Sequence, residues 1–147
     1  MISDPYERNL VNRNFYASKI DIETRVVAVL DGKLDNRNLN LIKPISRTFS
    51  KGTIIELILT DEDFATPGVA VNRIAYLAFV ELLNGGVLLY GDELLWNDMI
   101  IGKIVGFDDT HMPNHQNTVI YSENRISGKE LGIKVNDRII IKGIKME

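Results

Sequence analysis

The stretch of sequence that decides the fold is VAVNRIAYLAFVELL, residues 69–83. In a strand, successive side chains point to opposite faces, and here both faces would be apolar. The two alternating sets are Ala75, Leu77 and Phe79 on one face and Tyr76, Ala78 and Val80 on the other. Both faces must then be covered, which predicts a barrel with extra cover or a subunit interface. A helix over 71–83 is the alternative, because Ala and Leu favour it while the β-branched and aromatic residues oppose it.

Short apolar runs of similar composition continue on both sides of this stretch, separated by turn residues. Runs rich in Val, Ile, Leu, Tyr and Phe are typical of an all-β sandwich or barrel. The predicted strands are 24–30, 38–43, 53–60, 69–83, 87–90, 94–96, 99–107, 118–121 and 138–142. We therefore predict an all-β fold with minor α content: a single antiparallel β-barrel or barrel-like domain of about eight strands over residues 1–147.

Turn residues predict how these strands connect. Asp31-Gly32 predicts a hairpin between 24–30 and 38–43, because this dipeptide accepts the positive φ of a tight primed turn. The turns at 84–86, 91–92 and 97–98 predict a β-meander from residue 87 to residue 107. Gly102 and Gly106 interrupt the last strand of that meander and predict bulges where a sheet curls.

Composition narrows the classes of function. Seventeen basic and twenty acidic residues leave no basic surface for a nucleic acid, so no nucleic-acid partner is expected. Cysteine is absent, which excludes thiol nucleophiles and thiolate metal sites. No signal peptide or membrane-spanning segment is visible, so we expect a cytoplasmic protein without a membrane partner. Residues 1–20 have no strict period and predict an N-terminal arm or short helix.

Both histidines of the chain lie in one polar loop, residues 108–117, between two apolar runs. Side-chain chemistry can be concentrated only here, so this loop is the candidate ligand-binding site. Its candidate binding residues are Asp108, Asp109, His111, Asn114, His115 and Asn117. Pro113 argues against a helix through the loop, so the spacing of four between the histidines does not by itself bring them together.

The loop supports more than one interpretation. A divalent ion such as zinc would take His111, His115 and one or both of Asp108 and Asp109 as ligands, and we choose Asp109 as the carboxylate. The alternative without a ligand is that the acids and amides satisfy turn groups and the imidazoles bond locally. A small-molecule pocket at a barrel mouth and a pH-sensitive contact are two further interpretations.

Two other charged segments give weaker signals. Arg37, Lys43, Arg47 and Lys51 form a loosely basic segment that could hold an anion, although solvated charge around turns is the ordinary interpretation. The run 61–63, Asp-Glu-Asp, offers carboxylates, but three consecutive residues do not converge on one point.

Two resemblances add to this picture. Gly91-Asp92-Glu93-Leu94 together with 101–117, IGKIVGFDDTHMPNHQN, resembles a small bacterial family of unknown function, which implies no activity. Residues from about Gly85 onward resemble the glucitol-specific IIA component of the bacterial sugar phosphotransferase system, in strand order and in the closing pattern 135–141, VNDRIII. This second resemblance implies a β-barrel. The region that matches its phosphorylated histidine, 76–84, contains no histidine, so phosphoryl transfer is not assigned to His111 or His115.

The sequence therefore predicts a non-catalytic ligand-binding or protein-interaction module with the 108–117 loop as its site. The alternative is a metal-dependent enzyme that uses a His/His/Asp site in the same loop. We also expect a homo-oligomer formed through apolar strand faces near residues 69–90, with a small molecule or a protein as a further partner.

Overall fold

A computed structural model describes residues 20–143, and the regular secondary structure of these residues is almost entirely strand. The elements of this part of the chain are β1 (Ile22–Val29), β2 (Lys33–Leu34), β3 (Leu39–Asn40), β4 (Ser46–Phe49), β5 (Ile54–Thr60), β6 (Ala70–Val71), β7 (Ile74–Leu82), β8 (Gly86–Leu89), β9 (Glu93–Trp96), β10 (Met99–Asp108), β11 (Asn117–Tyr121), α1 (Gly128–Leu131) and β12 (Arg138–Lys142). The predicted all-β fold with minor α content is confirmed. The expected N-terminal arm lies outside the described residues, apart from residue 20.

Seven strands close into a barrel, in the order β1-β12-β9-β10-β11-β5-β7, with β7 pairing back onto β1. The pairings around the barrel are antiparallel except that between β5 and β11, which is parallel. β2 continues along the edge of β7 beyond the end of β1. No helix within residues 20–143 has the length and hydropathy needed to span a bilayer.

The central stretch forms strand and not a helix, as its β-branched and aromatic content indicates, but the single strand predicted over 69–83 is divided at residues 72–73 into β6 and β7. Most of the apolar run lies in β7. Its alternation is broken once, because β5 pairs Leu57 with Ala78 but Ile58 with Tyr76. The irregularity turns both Leu77 and Ala78 into the barrel core, so the strict alternation expected from the sequence does not hold. Phe79 consequently lies opposite Glu56 in the register of the neighbouring strand.

The apolar outer face of this region is covered by the chain itself. A second core cluster forms there, separate from the one inside the barrel. Its buried members are Leu39, Leu41, Ile58, Ala65, Val71, Ile74, Val105 and Val119. β3 and β6 pair with each other and supply part of this layer. The extra cover that a two-faced apolar strand requires is thus present.

Two predicted connections are wrong. Asp31-Gly32 does not form a hairpin: Gly32, with φ of 101°, interrupts a nearly continuous strand, and both Leu30 and Gly32 still bond to β7. The meander fails at β8, which pairs with β4. The turn at Asn97-Asp98 is confirmed, with positive φ at both residues. The bulges at Gly102 and Gly106 are confirmed as register shifts on either side of β10.

Candidate functional site

The loop joins the end of β10 to the start of β11, and a buried aspartate closes its base. Asp108 is 2% exposed, and its carboxylate accepts hydrogen bonds from the backbone and hydroxyl of Thr110, at 3.1 and 2.9 Å. It also accepts from the Asn117 side chain at 2.9 Å and from the Asn40 backbone at 3.3 Å. Asp108 and Asn117, both predicted as binding residues, therefore hold the two ends of the loop together.

Asp109 ties the loop to β4. Both of its carboxylate oxygens accept hydrogen bonds from Arg47 Nη2, at 3.1 and 2.9 Å, and one also accepts from the Gln116 side-chain amide. Arg47 belongs to the basic segment that we considered as an anion site, and here its guanidinium fixes the loop. Asp109, the carboxylate chosen from the sequence as a metal ligand, is outside the group that the histidines form.

The two histidines face each other. The backbone N–H groups of Asn114 and His115 both donate to the carbonyl of His111, at 2.9 and 3.3 Å, which closes one turn of the loop. This turn brings side chains four positions apart to the same side, and the imidazole centroids lie 5.0 Å apart at a tilt of 31°. His115 also meets Phe79 edge to face at 5.0 Å.

A glutamate from the barrel wall completes the group. Glu56 lies on β5, next to Phe79 of β7 and Asn117 of β11 in register, and its side chain is 7% exposed. Its Oε1 is 3.0 Å from Nε2 of His115. One ligand atom each from Glu56, His111 and His115 lies within 4.8 Å of the others.

Sequence reasoning missed Glu56, because it lies far from the loop in the chain. One signal was present: Glu56 is the only charged residue in the apolar run 53–60. An acid inside a buried strand carries a desolvation cost that must be offset by a partner.

The hydrogen bonds assign roles to the ring nitrogens. Arg37 Nη2 lies 3.3 Å from Nε2 of His111, and because a guanidinium only donates, that nitrogen is the acceptor. Arg37 also donates from Nε to the Tyr76 hydroxyl at 3.2 Å. His115 differs, because both of its nitrogens face side-chain oxygens: Nδ1 is 2.8 Å from Asn114 Oδ1, and Nε2 faces Glu56.

A cleft of about 500 Å³ opens beside this group. Loop residues 112–116 form one wall, and Arg47, Thr48 and Phe49 of β4 with residues 52–54 form the other. His115 lies in both the cleft wall and the Glu56–His111–His115 group. The predicted binding residues thus divide: His111, Asn114 and His115 come together, whereas Asp108, Asp109 and Asn117 hold the loop.

The model of a family of unknown function, DUF6917, matches residues 16–142. The chain belongs to this family. The DUF6917 match includes every strand described above together with the 108–117 loop, so the candidate site lies within the family region. No curated protein and no solved structure matches the chain. The resemblance to a family of unknown function is therefore confirmed, and the resemblance to the glucitol-specific IIA component is not.

Proposed function

We propose that the chain is a non-catalytic module that binds a small molecule in the cleft beside the 108–117 loop. The observation that carries this proposal is the cleft itself, whose volume of about 500 Å³ falls in the range of small-molecule sites, roughly 300–1,000 Å³. Its position also supports the proposal, because the loop that lines one wall is held at its base by Asp108 and at its side by Arg47.

The lining combines apolar and polar groups in the way that ligand sites do. Phe49, Ile54, Met112 and Pro113 supply apolar surface. Ile54 and Met112 are 43% and 47% exposed, so this surface is open to a ligand. Hydroxyl and amide groups of the lining supply the few polar contacts that orient a bound molecule; they are Thr48, Thr53, Asn114 and Gln116. We expect a compact, partly apolar ligand.

The methionine methyl groups allow a direct test. Met112 lines the cleft, whereas Met99 lines a separate pocket with Ile100 and Ile101. Protein labelled with ¹³C at the methionine methyls is titrated with a library of fragment-sized compounds and followed by NMR. We expect compounds that move the Met112 resonance and leave the Met99 resonance in place.

A matched pair of variants locates the binding. Thr48→Trp places an indole on an exposed strand residue of the cleft and should abolish the Met112 shifts. Lys103→Trp places the same group at an exposed strand residue beside a smaller pocket of about 230 Å³ and should retain them. A library that never moves Met112, or equal effects of the two tryptophans, would contradict the proposal.

A metal-dependent enzyme is the second candidate function. One observation favours it: His115 belongs both to the cleft wall and to the group that could hold an ion, so a bound ion would adjoin a bound molecule. Expectations of a cytoplasmic location, of a homo-oligomer and of a protein partner remain part of the proposal and rest on the sequence alone.

A further inference from the structure

We propose that Glu56, His111 and His115 bind one borderline divalent cation such as Zn²⁺. This inference goes beyond the small-molecule proposal and does not depend on it, because the cation needs no compound in the cleft. The ligand set is two imidazole nitrogens and one carboxylate oxygen, a combination that suits zinc and neighbouring transition ions rather than calcium or magnesium.

The distances are close to those of an occupied site. Zinc–nitrogen and zinc–oxygen bonds of about 2.0–2.2 Å place two ligand atoms of a tetrahedral ion about 3.3–3.6 Å apart. His115 Nε2 and Glu56 Oε1 are already 3.0 Å apart, and all three ligand atoms lie within 4.8 Å of one another. His111 is exposed on the loop, so a shift of about 1 Å needs no rearrangement of the barrel.

The contacts of His115 allow its Nε2 to bind a metal ion. A neutral imidazole carries one N–H, yet here both nitrogens face oxygen acceptors, at 2.8 Å to Asn114 and 3.0 Å to Glu56. If Nδ1 donates to Asn114, the lone pair of Nε2 faces a carboxylate oxygen. A metal ion between them turns that repulsion into two coordinate bonds, and Asn114 then orients the ring as outer partners of metal-bound histidines commonly do.

The burial of Glu56 points the same way. Its side chain is 7% exposed, and within residues 20–143 no lysine or arginine forms a salt bridge with it. Burying a carboxylate is costly unless a cation or hydrogen bonds compensate. A cation bound between Glu56 and His115 would supply this compensation.

Arg37 is hydrogen-bonded to His111, the third proposed ligand. Its guanidinium donates to Nε2 of His111, the nitrogen that the proposal assigns to the metal. The ion must displace this contact, and Arg37 retains its bond to the Tyr76 hydroxyl. Arg37 therefore competes with the cation by position and by charge.

Calorimetric titration tests the site. Protein whose affinity tag has been removed is stripped with a chelator and titrated with ZnCl₂, and in parallel with CoCl₂ while the visible absorption of Co²⁺ is recorded. We expect one ion per chain and the intense absorption bands of low-coordinate cobalt. The absence of heat and of a cobalt spectrum would overturn the proposal, whatever the outcome of the compound titrations.

Four variants assign the ligands. Glu56→Gln keeps the shape of the side chain and His111→Ala alters an exposed residue, so both should fold; each should weaken zinc affinity about tenfold or more. Glu93→Gln changes a half-buried acid on β9 and should bind as the parent does. Equal affinity for all these proteins would show adventitious binding only. Loss of affinity in Asp109→Asn with none in Glu56→Gln would restore the ligand set expected from the sequence and overturn ours.

Arg37→Gln should change the zinc affinity in the direction opposite to that of the ligand variants. Removal of the competing cation should tighten zinc binding by about threefold or more. A merely structural role of Arg37 predicts weaker binding or none, so tighter binding supports the displacement and unchanged or weaker binding overturns it.

Discussion

Asp137 holds the tryptophan of this chain in place. Its Oδ2 accepts hydrogen bonds from the Trp96 indole and from the Lys134 backbone N–H, both at 2.9 Å. The Trp96 bond, and after it the Lys134 bond, lowers the pKa of Asp137 below its ordinary value of 3.8. Because the folded pKa is the lower one, the ionised carboxylate stabilises the fold above the unfolded pKa, and this contribution is lost as the pH falls through the folded pKa.

We therefore predict that Asp137→Asn makes the free energy of unfolding less dependent on pH at acidic pH. The free energy of unfolding at pH 7 should fall by about 1 kcal/mol, since a neutral amide replaces a charged acceptor. The variant should then lose less further stability than the parent between about pH 4 and pH 2. Urea melts followed by the emission of Trp96, the single tryptophan, measure both quantities.

A parent and a variant with parallel curves over that range would contradict this role for Asp137. Trp96→Phe removes the indole donor and should flatten the same part of the curve, measured by circular dichroism. The pKa values of Asp31, Asp61 and Glu130 are also lowered by hydrogen bonds, first of all those with Ser127, Arg73 and the Ser127 backbone respectively, so some acid sensitivity should remain.

Single residues of the loop were visible in the sequence, but their partners were not. His111, Asn114 and His115 were predicted as candidate binding residues of one loop, and the structure brings their side chains together. Glu56 escaped because nothing in a single sequence pairs it with a loop at a separation of 59 residues. Asp109 was wrongly grouped with the histidines, because its real partner is Arg47. That pairing arises from the packing of β4 against the loop, which the sequence alone does not indicate.

At the scale of elements, α1 is docked through a glycine. Ser127 and Glu130 form a capping box at its start, and Gly132 ends it with φ of 95°. The backbone N–H of Lys129 donates to the Leu30 carbonyl at 3.0 Å. A Cβ at Gly128 would lie 1.9 Å from the Leu77 carbonyl oxygen of β7. Only a residue without a side chain allows this approach.

Gly128→Ala should therefore lower the free energy of unfolding by about 2–4 kcal/mol, since the clash is with backbone and the helix must move away from β7. Lys129→Ala, at the exposed next position, should change it by less than about 0.5 kcal/mol. Chemical denaturation of the two variants measures the difference, and similar stabilities would show that α1 is not held in this way.

Elements whose signal is local were predicted correctly, and those that depend on distant pairing were not. Asn97-Asp98 adopts the positive φ values of a tight turn, and Gly102 and Gly106 mark bulges, because each effect arises from the residue itself. Asp31-Gly32 carries the same turn signal, yet β7 offers a longer pairing edge and the strand continues past it. β8 leaves the meander because β4 pairs with it instead.

At the scale of the molecule, the barrel closes between the first and last described strands. β12 pairs with β1 on one side and β9 on the other, with Ile141 opposite both Ile22 and Leu94. Ile141 is fully buried, whereas Ile140 points to the other face and is half-buried. Closure thus joins segments more than a hundred residues apart.

Ile141→Ala should cost about 3 kcal/mol of unfolding free energy, because it leaves a cavity where the barrel closes. Ile140→Ala removes the same atoms from the outer face and should cost about 1 kcal/mol. Thermal or urea unfolding of the pair measures the contrast. Equal losses would mean that the core does not lie on the Ile141 side of β12.

The barrel could be predicted for two reasons. The apolar runs have the composition of strands, and the run 69–83 is apolar on both faces, which few folds other than a covered barrel can bury. The parallel pairing of β5 with β11 could not, since no local pattern specifies it. The homo-oligomer stays a prediction. Its main argument was an uncovered face on β7, and that face packs against Leu39, Leu41 and Val71 of the same chain.

One side chain, His115, belongs both to the cleft and to the Glu56–His111–His115 group, the two sites that we propose. We therefore expect binding at one site to alter the affinity of the other, and the factor must be the same in both directions, because the coupling free energy between two ligands is reciprocal. Chelator-treated and zinc-saturated protein would behave as two distinct receptors. Compounds selected against one of these forms need not bind the other, so a search for ligands of this barrel should use both.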